Sequence, residues 1–193
     1  MMFVDPEFVI FTGPMFGGKT TRLLSVLERY KLRQKKIYTF KPLKDTRFEV
    51  LGKCIITHRG YETNSIPIES ADDILEYLSK RRVTSGVVAV DEAFMVAGLA
   101  DVLIGLFRKG FTVLVSSIQL SSDGTPFEEV SKMMPWATKI EVCPAVCPIT
   151  GKDAYYTYRK TDETEAIVVG GIETYEPRCF ETHDLIKIKE EIK

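Results

Sequence analysis

The sequence predicts an α/β fold, a parallel sheet with helices on both faces, followed by a small β-rich subdomain. Three observations support this prediction. Short apolar runs of strand length alternate with amphipathic helical segments over the first two thirds of the chain. The first of these runs is followed at once by a glycine-rich turn and then by a helix. After Pro135 this pattern ends, and cysteines, prolines and β-prone tyrosines replace it.

The elements of the α/β part are predicted in chain order. Strands are expected at residues 8–11, 37–40, 54–57, 86–90 and 112–115, where short apolar or β-prone runs occur. The first helix is expected at 19–32, because apolar residues recur there at helical spacing between charged residues. A second helix should begin after Ser70, since Asp73 stands three residues on and can cap it. A third should span 99–109 and end at Gly110.

Composition argues against several classes of partner. The chain has 193 residues, with 26 Lys and Arg against 27 Asp and Glu, so it has no broad positive field of the kind that holds nucleic acid. Its start lacks a signal-like apolar run, and no stretch approaches a membrane span, so we expect a cytoplasmic protein without a membrane partner. Four unevenly spaced cysteines are too few for a disulfide framework.

The strongest signal is the segment 13–20, Gly-Pro-Met-Phe-Gly-Gly-Lys-Thr, which matches the phosphate-binding pattern G-x-x-x-x-G-K-[ST]. It lies between a predicted strand and a predicted helix, as this motif requires. Its glycines let the backbone fold around phosphates, Lys19 neutralises the outer phosphates, and the Thr20 hydroxyl is a ligand for Mg²⁺. The alternative is a chance glycine-rich turn, against which the flanking elements count. The segment predicts that ATP and Mg²⁺ bind here.

A second signal is the pair of acids that follows the predicted strand at 86–90. Asp91 is expected to hold Mg²⁺, directly or through water, and Glu92 can accept a proton from the attacking group. The same pair serves an ATPase, where Glu92 orients water, and a kinase, where Glu92 deprotonates an alcohol. Acids at a strand end are otherwise ordinary loop residues. Site chemistry alone therefore leaves both enzyme classes open.

The third signal is a set of metal-ligating residue types in the last third of the chain. Cys143-x3-Cys147 and Cys179-x3-His183 are two pairs about thirty residues apart, which is the layout of a structural Zn²⁺ ribbon. Four nitrogen and sulfur ligands would close a tetrahedral site and leave no open position for catalysis. The alternative is a set of isolated buried thiols.

Taken together, these motifs resemble the type II thymidine kinases found in cytosol, bacteria and large DNA viruses, and the resemblance spans most of the chain. Besides the phosphate loop, the matching segments are Phe-Lys-Pro-Leu-Lys-Asp-Thr-Arg at 40–47, Thr-His at 57–58, Val-Asp-Glu-Ala at 90–93, Thr-Pro-Phe-Glu at 125–128 and Val-Gly-Gly-Ile-Glu-Thr-Tyr at 169–175. The resemblance implies a RecA-like ATP-binding kinase domain at 1–139. It also implies a small zinc-binding domain at 140–193, whose lasso loop closes over the nucleoside.

The implied reaction is transfer of the γ-phosphate of ATP to the 5′-hydroxyl of thymidine or deoxyuridine. The resemblance makes Glu92 the base and places Arg47 beside the phosphates, where it helps to stabilise the transferring group. The nucleotide-contacting residues are then Gly13, Met15, Gly17, Gly18, Lys19, Thr20, Thr21 and Asp91. Those around the nucleoside base are Met15, Phe127, Val169, Gly170, Gly171 and Tyr175. From the residues alone, Met15 is equally explained as a residue that fills the core. Phe127 and Tyr175 are equally explained as core aromatics, and Gly170-Gly171 as a simple turn. A homotetramer and inhibition by thymidine triphosphate are implied as well.

Three positions depart from the family's pattern. Phe94 stands where the family usually has Gln, and Gln119 stands where an acid is usual. The first cysteine pair is also respaced, because aligning the tyrosine-rich segment places Cys147 on the family's first cysteine and Thr150 on its second. Either Cys143 substitutes for the missing ligand or the zinc is absent.

Two other functions remain to be compared with the kinase. The first is a RecA-like, DNA-dependent ATPase that uses a zinc ribbon as a grip, which the low net charge disfavours. The second is a nucleotide-binding regulator without catalytic activity. Turnover separates them, since only a kinase releases ADP in response to thymidine.

Overall fold

The computed structural model describes residues 5–45, 54–56, 62–161 and 169–184, with the backbone alone at 54–56 and 62. The strands are β1 Phe8–Thr12, β2 Ile37–Pro42, β3 Cys54–Ile56, β4 Glu62–Asn64, β5 Ile66–Ile68, β6 Val87–Val90, β7 Thr112–Ser116, β8 Lys139–Val142, β9 Ala145–Val146, β10 Asp153–Ala154, β11 Tyr156–Arg159 and β12 Tyr175–Arg178. The α-helices are α1 Lys19–Leu32, α2 Asp72–Lys80, α3 Leu99–Arg108 and α4 Glu128–Met133.

A six-stranded parallel sheet forms the centre of the molecule, in the order β5-β2-β6-β7-β1-β8. The strands β1, β6 and β7 are buried almost throughout, as expected for continuous apolar runs covered on both faces. In a parallel sheet all carboxyl ends meet at one edge. The loops after β1 and β6 therefore lie close together, although β1 ends at Thr12 and β6 only at Val90.

Helices cover both faces of this sheet, as the sequence predicted. The buried residues Leu23 and Leu27 of α1 pack with Phe11 and Leu114 on one face. The opposite face is covered by α2, α3 and α4, whose buried residues are Ile74, Leu78, Leu99, Ala100, Leu103, Leu106, Val130 and Met133. The α/β prediction is confirmed, whereas its RecA-like subclass stays a prediction.

Local interactions mark the start of α2 and the end of α3, although Ala71 rather than Ser70 is the N-cap of α2 and no side chain caps it. The carboxylate of Asp73 accepts hydrogen bonds from the backbone N–H groups of Glu69 and Ser70, at 2.7 and 2.9 Å, just before α2. These bonds, the one from Ser70 first, lower the pKa of Asp73. Helix α3 stops at Arg108, and Gly110 follows in the left-handed region with a φ of 89°. The helices predicted from sequence are therefore present with nearly the expected bounds.

Two expectations about the sheet were wrong. The strand expected at 54–57 corresponds to β3, which pairs antiparallel with β4 outside the parallel sheet. The α/β pattern also does not end near Pro135, because β8 pairs parallel with β1 and continues the sheet to Val142. This strand spans the domain boundary predicted after residue 139. Because this edge strand is mostly exposed, it lacks the apolar run that would predict it.

The remaining chain forms small antiparallel pairs. β9 pairs with β10, and β11 pairs with β12, in line with the β-rich subdomain that the sequence predicted. The segment between β11 and β12 is described only at its two ends. Within the described ranges, no helix is both long enough and apolar enough to cross a membrane.

Candidate active site

The loop between β1 and α1 folds against the end of β8. A Cβ atom placed on Gly13 or on Gly17 would lie 2.3 Å from the backbone oxygen of Cys143. Gly13 also has a φ of 133°, and Gly18, immediately before α1, has a φ of 75°. These three positions therefore need glycine for steric or conformational reasons, and the loop has the tight curvature that wraps a phosphate chain.

The polar residues at the start of α1 point into this loop and toward β6. Lys19 is 7% exposed, and its Nζ donates a hydrogen bond to the backbone oxygen of Pro14 at 2.6 Å. The Oγ1 of Thr20 lies 3.2 and 3.3 Å from the two carboxylate oxygens of Asp91. A hydroxyl beside a buried carboxylate is a donor set that suits Mg²⁺, so these two residues fit that ion. Thr21, also predicted to contact nucleotide, is exposed in the first turn of the helix.

Glu92 follows Asp91 in an uncommon backbone conformation. Its φ and ψ are 52° and 44°, the left-handed region that costs free energy for a residue other than glycine. The side chain is nearly buried, at 9% exposure, and it lines a cavity together with Met15. Such strain persists where surrounding structure enforces it, commonly at functional sites. Here the left-handed turn brings two consecutive acids to two different places, the phosphate loop and the cavity.

The empty space within the cavity and at its mouth amounts to about 440 Å³, part of which is open solvent. Its lining residues are Met15, Glu92, Phe94, Met95, Ile118, Ser121, Ser122, Phe127, Thr157, Arg159, Val169, Gly170 and Tyr175. The rings of Phe94 and Phe127 pack at 4.7 Å between centroids. The cavity is thus a mainly apolar and aromatic pocket with one carboxylate, and it adjoins the phosphate loop through Met15.

The chain is similar to known thymidine kinases over most of its length. The profile of the family described as "Thymidine kinase" matches residues 7–183. A curated thymidine kinase from Pyrobaculum aerophilum is 35% identical over 178 residues, covering 89% of this chain and 95% of that protein. The thymidine kinases of Pseudothermotoga lettingae and Coprothermobacter proteolyticus are each 32% identical, covering 95% and 94% of this chain and 97% and 92% of theirs.

The chain belongs to the thymidine kinase family.

One similar solved structure is the genome packaging NTPase B204 from Sulfolobus turreted icosahedral virus 2 in complex with ATP-gammaS. Its TM-score is 0.45 at 14% identity, over 76% of this chain and 79% of that one, which is too distant to bear on function.

As a member of the thymidine kinase family, the chain is an ATP-dependent nucleoside kinase that acts on thymidine. Five residues predicted around the base line the cavity: Met15, Phe127, Val169, Gly170 and Tyr175. The backbone N–H of Gly171, the sixth, donates to the carboxylate of Glu173 instead. That bond is the main cause of a lowered pKa for Glu173. Arg47 lies outside the described residues, so its predicted place beside the phosphates stays a prediction.

Other cavity residues of this thymidine kinase family member were missed from sequence. Thr157 and Arg159 both line the cavity because they stand two apart on β11 and face the same side. Strand alternation in the tyrosine-rich segment is a signal that could have found them. Thr157 also accepts a hydrogen bond from the backbone N–H of Met15 at 3.0 Å, across 142 residues of sequence. No periodic signal marks Met95, Ile118, Ser121 or Ser122.

The structure does not bring the four predicted zinc ligands together. In the described part of the chain, no group of three or more His, Cys, Asp or Glu side chains is arranged to hold a metal ion. Cys143 packs with α1 under the phosphate loop, and its Sγ lies 3.9 Å from the backbone oxygen of Glu141. Burial, and after it the charge of Glu141, raises the pKa of this thiol. Cys143 therefore packs as a core thiol, apart from Cys147 and Cys179, and its predicted role as a zinc ligand is not shown.

His183 is engaged elsewhere as well. Its Nε2 lies 2.9 Å from the backbone oxygen of Thr157, and its ring packs edge-on against Tyr156 and Tyr158. Nδ1 is buried, with no hydrogen-bond partner among the described residues.

Cys147 and Cys179 lie together in a small buried cluster, separate from Cys143. Burial favours the neutral thiol of Cys147, but hydrogen bonds from Thr150 and Thr182 outweigh that effect and lower its pKa to about 5. The residues present do not fit a four-ligand zinc site, so no step of the reaction is assigned to zinc.

Proposed function

We propose that this kinase transfers the γ-phosphoryl group of ATP to the 5′-hydroxyl of thymidine or deoxyuridine, with Glu92 as the catalytic base. One observation carries the proposal. Glu92 lines the apolar cavity, while Asp91, its neighbour in sequence, contacts Thr20 of the phosphate loop. A nucleoside in the cavity would thus present its hydroxyl between a carboxylate and the end of a bound triphosphate.

The bond changes follow from this placement. The 5′-oxygen forms a bond to the γ-phosphorus, and the bond between that phosphorus and the bridging oxygen of ADP breaks. The hydroxyl proton passes to the carboxylate of Glu92, and ADP leaves with the electron pair of the broken bond. Lys19 would stabilise the negative charge of the outer phosphates, a role supported by its burial at the loop. Bound by Thr20 and Asp91, Mg²⁺ would supply further neutralisation of that charge.

The base pocket would select a flat, weakly polar ring. Phe94 and Phe127 provide an aromatic wall, and Met15 provides an adaptable apolar surface beside the phosphate loop. Arg47 is proposed, from the family resemblance, to approach the transferring group. The same resemblance supports a homotetramer and inhibition by thymidine triphosphate, which light scattering and inhibition assays would test.

The test replaces Glu92 by Gln, which keeps the shape of the side chain and removes its basic carboxylate. We expect the rate of thymidine phosphorylation to fall about 10²- to 10⁴-fold, with little change in the dissociation constant of ATP measured by calorimetry. Glu128→Gln is the matched control, because Glu128 is exposed on α4 and pairs with Lys132. Its rate should equal that of the unaltered enzyme.

The same assay separates the kinase from its alternatives. The kinase releases ADP only when thymidine is present. ADP release that DNA stimulates without nucleoside would favour the ATPase instead. Full activity in Glu92→Gln would show that Glu92 is not the catalytic base.

A further inference from the structure

Two turns of the small subdomain share one spacing. Cys147 and Thr150 are three residues apart in the first turn, and Cys179 and Thr182 are three apart in the second. We call these four residues the cysteine–threonine knuckle. The Oγ1 of Thr182 lies 3.4 Å from both sulfur atoms, and the Oγ1 of Thr150 lies 3.4 Å from the sulfur of Cys179. The four side chains therefore converge on one point and form a continuous chain of hydrogen bonds.

A backbone hydrogen bond closes each of the two turns. The N–H of Gly151 donates to the oxygen of Cys147 at 2.9 Å, and the N–H of Thr182 donates to the oxygen of Cys179 at 3.1 Å. An ion pair between Lys152 and Glu181, at 2.8 Å, spans the two turns on the outside. Both sulfur atoms belong to buried residues, with Cys147 at 0% and Cys179 at 5% exposure. The two cysteines are thus shielded from solvent, whereas Thr150 is exposed and Thr182 is partly exposed.

Its spacing is that of a zinc ribbon, but its chemistry is not. Structural zinc sites use two pairs of ligands, commonly spaced Cys-x2-Cys, and their ligands are thiolates, imidazoles or carboxylates. In each turn of the knuckle a threonine occupies the second ligand position. A neutral hydroxyl is not among those ligands, so the knuckle offers two donors where the ion takes four.

Neither of the other candidates completes the set. Cys143 is committed to the core beneath the phosphate loop. His183 donates or accepts at the backbone of β11, and its ring is fixed between two tyrosines. Among residues 5–45, 62–161 and 169–184 no third ligating side chain joins Cys147 and Cys179.

We infer that the cysteine–threonine knuckle is a zinc-ribbon scaffold that closes without metal. Hydrogen bonds between hydroxyl groups and the two cysteine sulfurs take the place of the four metal bonds and hold the two turns together. The backbone keeps the geometry of the ribbon, so the site differs from a zinc site only in the chemistry of Thr150 and Thr182.

The first measurement uses the unaltered chain, produced with added zinc and then dialysed. We expect far less than about one zinc per chain by elemental analysis, where a closed ribbon would hold one. A chelator should leave the thermal midpoint unchanged. One tightly held zinc per chain would overturn the inference, and its loss in His183→Asn would then assign the metal to the buried imidazole.

The second measurement restores the missing ligands. The double substitution Thr150→Cys with Thr182→Cys should bind about one zinc per chain, because four thiolates then meet at one point. Its thermal midpoint should rise with zinc and fall with a chelator, and Co²⁺ should give the absorption of a thiolate complex. Failure of a folded double variant to bind either ion would show that the two turns lack ribbon geometry.

Two further double variants test how much the hydroxyl groups contribute to stability. They can be measured even if the cysteine variant does not fold. Thr150→Ser with Thr182→Ser keeps both hydroxyls and should retain the thermal midpoint. Thr150→Val with Thr182→Val keeps the volume but removes both hydrogen-bonding groups, so its midpoint should fall by several degrees. Equal midpoints in the serine and valine variants would contradict the role given to the hydrogen bonds.

Discussion

The phosphate loop at 13–20 and the cysteine–threonine knuckle are both tight turns that match ligand-binding patterns, but they differ in how completely they match. In the loop, the glycines, the lysine and the threonine of the pattern are all present, the glycines stand where a side chain would clash or strain the backbone, and Thr20 contacts Asp91. In the knuckle, the spacing persists while half of the ligand types are missing. Backbone geometry and ligand chemistry are thus separable, and a pattern predicts a ligand only when both are present.

The largest expected effect tests the phosphate loop, where every residue of the pattern is present. Replacing Lys19 by Ala removes the buried cation of the loop, so thymidine phosphorylation should fall at least about 10²- to 10³-fold. Lys31→Ala is the control, since Lys31 is exposed near the other end of α1 and pairs with Glu28. Near-normal turnover in Lys19→Ala, measured by release of ADP, would contradict the assignment of the phosphate loop as the ATP site.

Removal of divalent metal should affect the two regions differently. With a chelator in excess, we expect activity to fall at least about 100-fold and to return with Mg²⁺, because Thr20 and Asp91, which lie in contact, are the residues proposed to hold that ion. Thermal unfolding should not change, because the knuckle closes through hydrogen bonds. A thermal midpoint that falls with the chelator and recovers only with Zn²⁺ would show that the fold depends on zinc. The knuckle would then be a metal site, as the phosphate loop is proposed to be.

A smaller effect should follow from crowding the loop. In Gly17→Ala, the new methyl group would lie 2.3 Å from the backbone oxygen of Cys143, so the loop or the end of β8 must shift. We expect the KM for ATP to rise about tenfold and stability to fall by about 1–3 kcal/mol. Gly105→Ala in α3 is the control, because nothing lies within 4 Å of its added methyl group. An unchanged KM for ATP in Gly17→Ala would show that this contact does not shape the loop.

The smallest effect concerns the far end of the helix that carries the loop lysine. The Tyr30 hydroxyl donates to the carboxylate of Glu7, just before β1. Burial, followed by this hydrogen bond and the charge of Glu7, raises the pKa of Tyr30 to about 12. Because the raised pKa favours neutral tyrosine in the fold, this contribution is fully present below about pH 10 and is lost as pH rises further.

Replacing Tyr30 by Phe should therefore flatten the loss of stability at high pH. Relative to the unaltered chain, the decline above about pH 10 should be smaller by on the order of 1–2 kcal/mol, measured by urea unfolding at a series of pH values. Tyr155→Phe is the control, since Tyr155 is exposed. If both variants decline as the unaltered chain does, the fold does not raise the pKa of Tyr30 as the structure indicates.

Much of the fold could be predicted because its signals are local. The helices at 19–32 and 99–109 have apolar residues at helical spacing and clear ends, and both are present. β8 was not predicted, because an exposed edge strand lacks an apolar run. The antiparallel pairing of β3 with β4 was also missed, since a strand's partners do not follow from its own residues.

The candidate site divides in the same way. The phosphate loop and the pair Asp91 and Glu92 were predictable, because each is contiguous in sequence and follows a buried strand. The left-handed backbone of Glu92 was not, since no local rule places a glutamate there. Nor was the approach of Thr157 to Met15, which depends on where β11 meets the phosphate loop.

The sequence by itself determined the phosphate loop, its two acids and the membership of a kinase family, because these rest on residues that are neighbours along the chain. Only the tertiary structure decided that Cys143 supports the phosphate loop and that Cys147 and Cys179 meet hydroxyl groups. The physical reason is that a thiol's role depends on which side chains surround it. Strand order and register bring those side chains together, and spacing along the chain does not specify them.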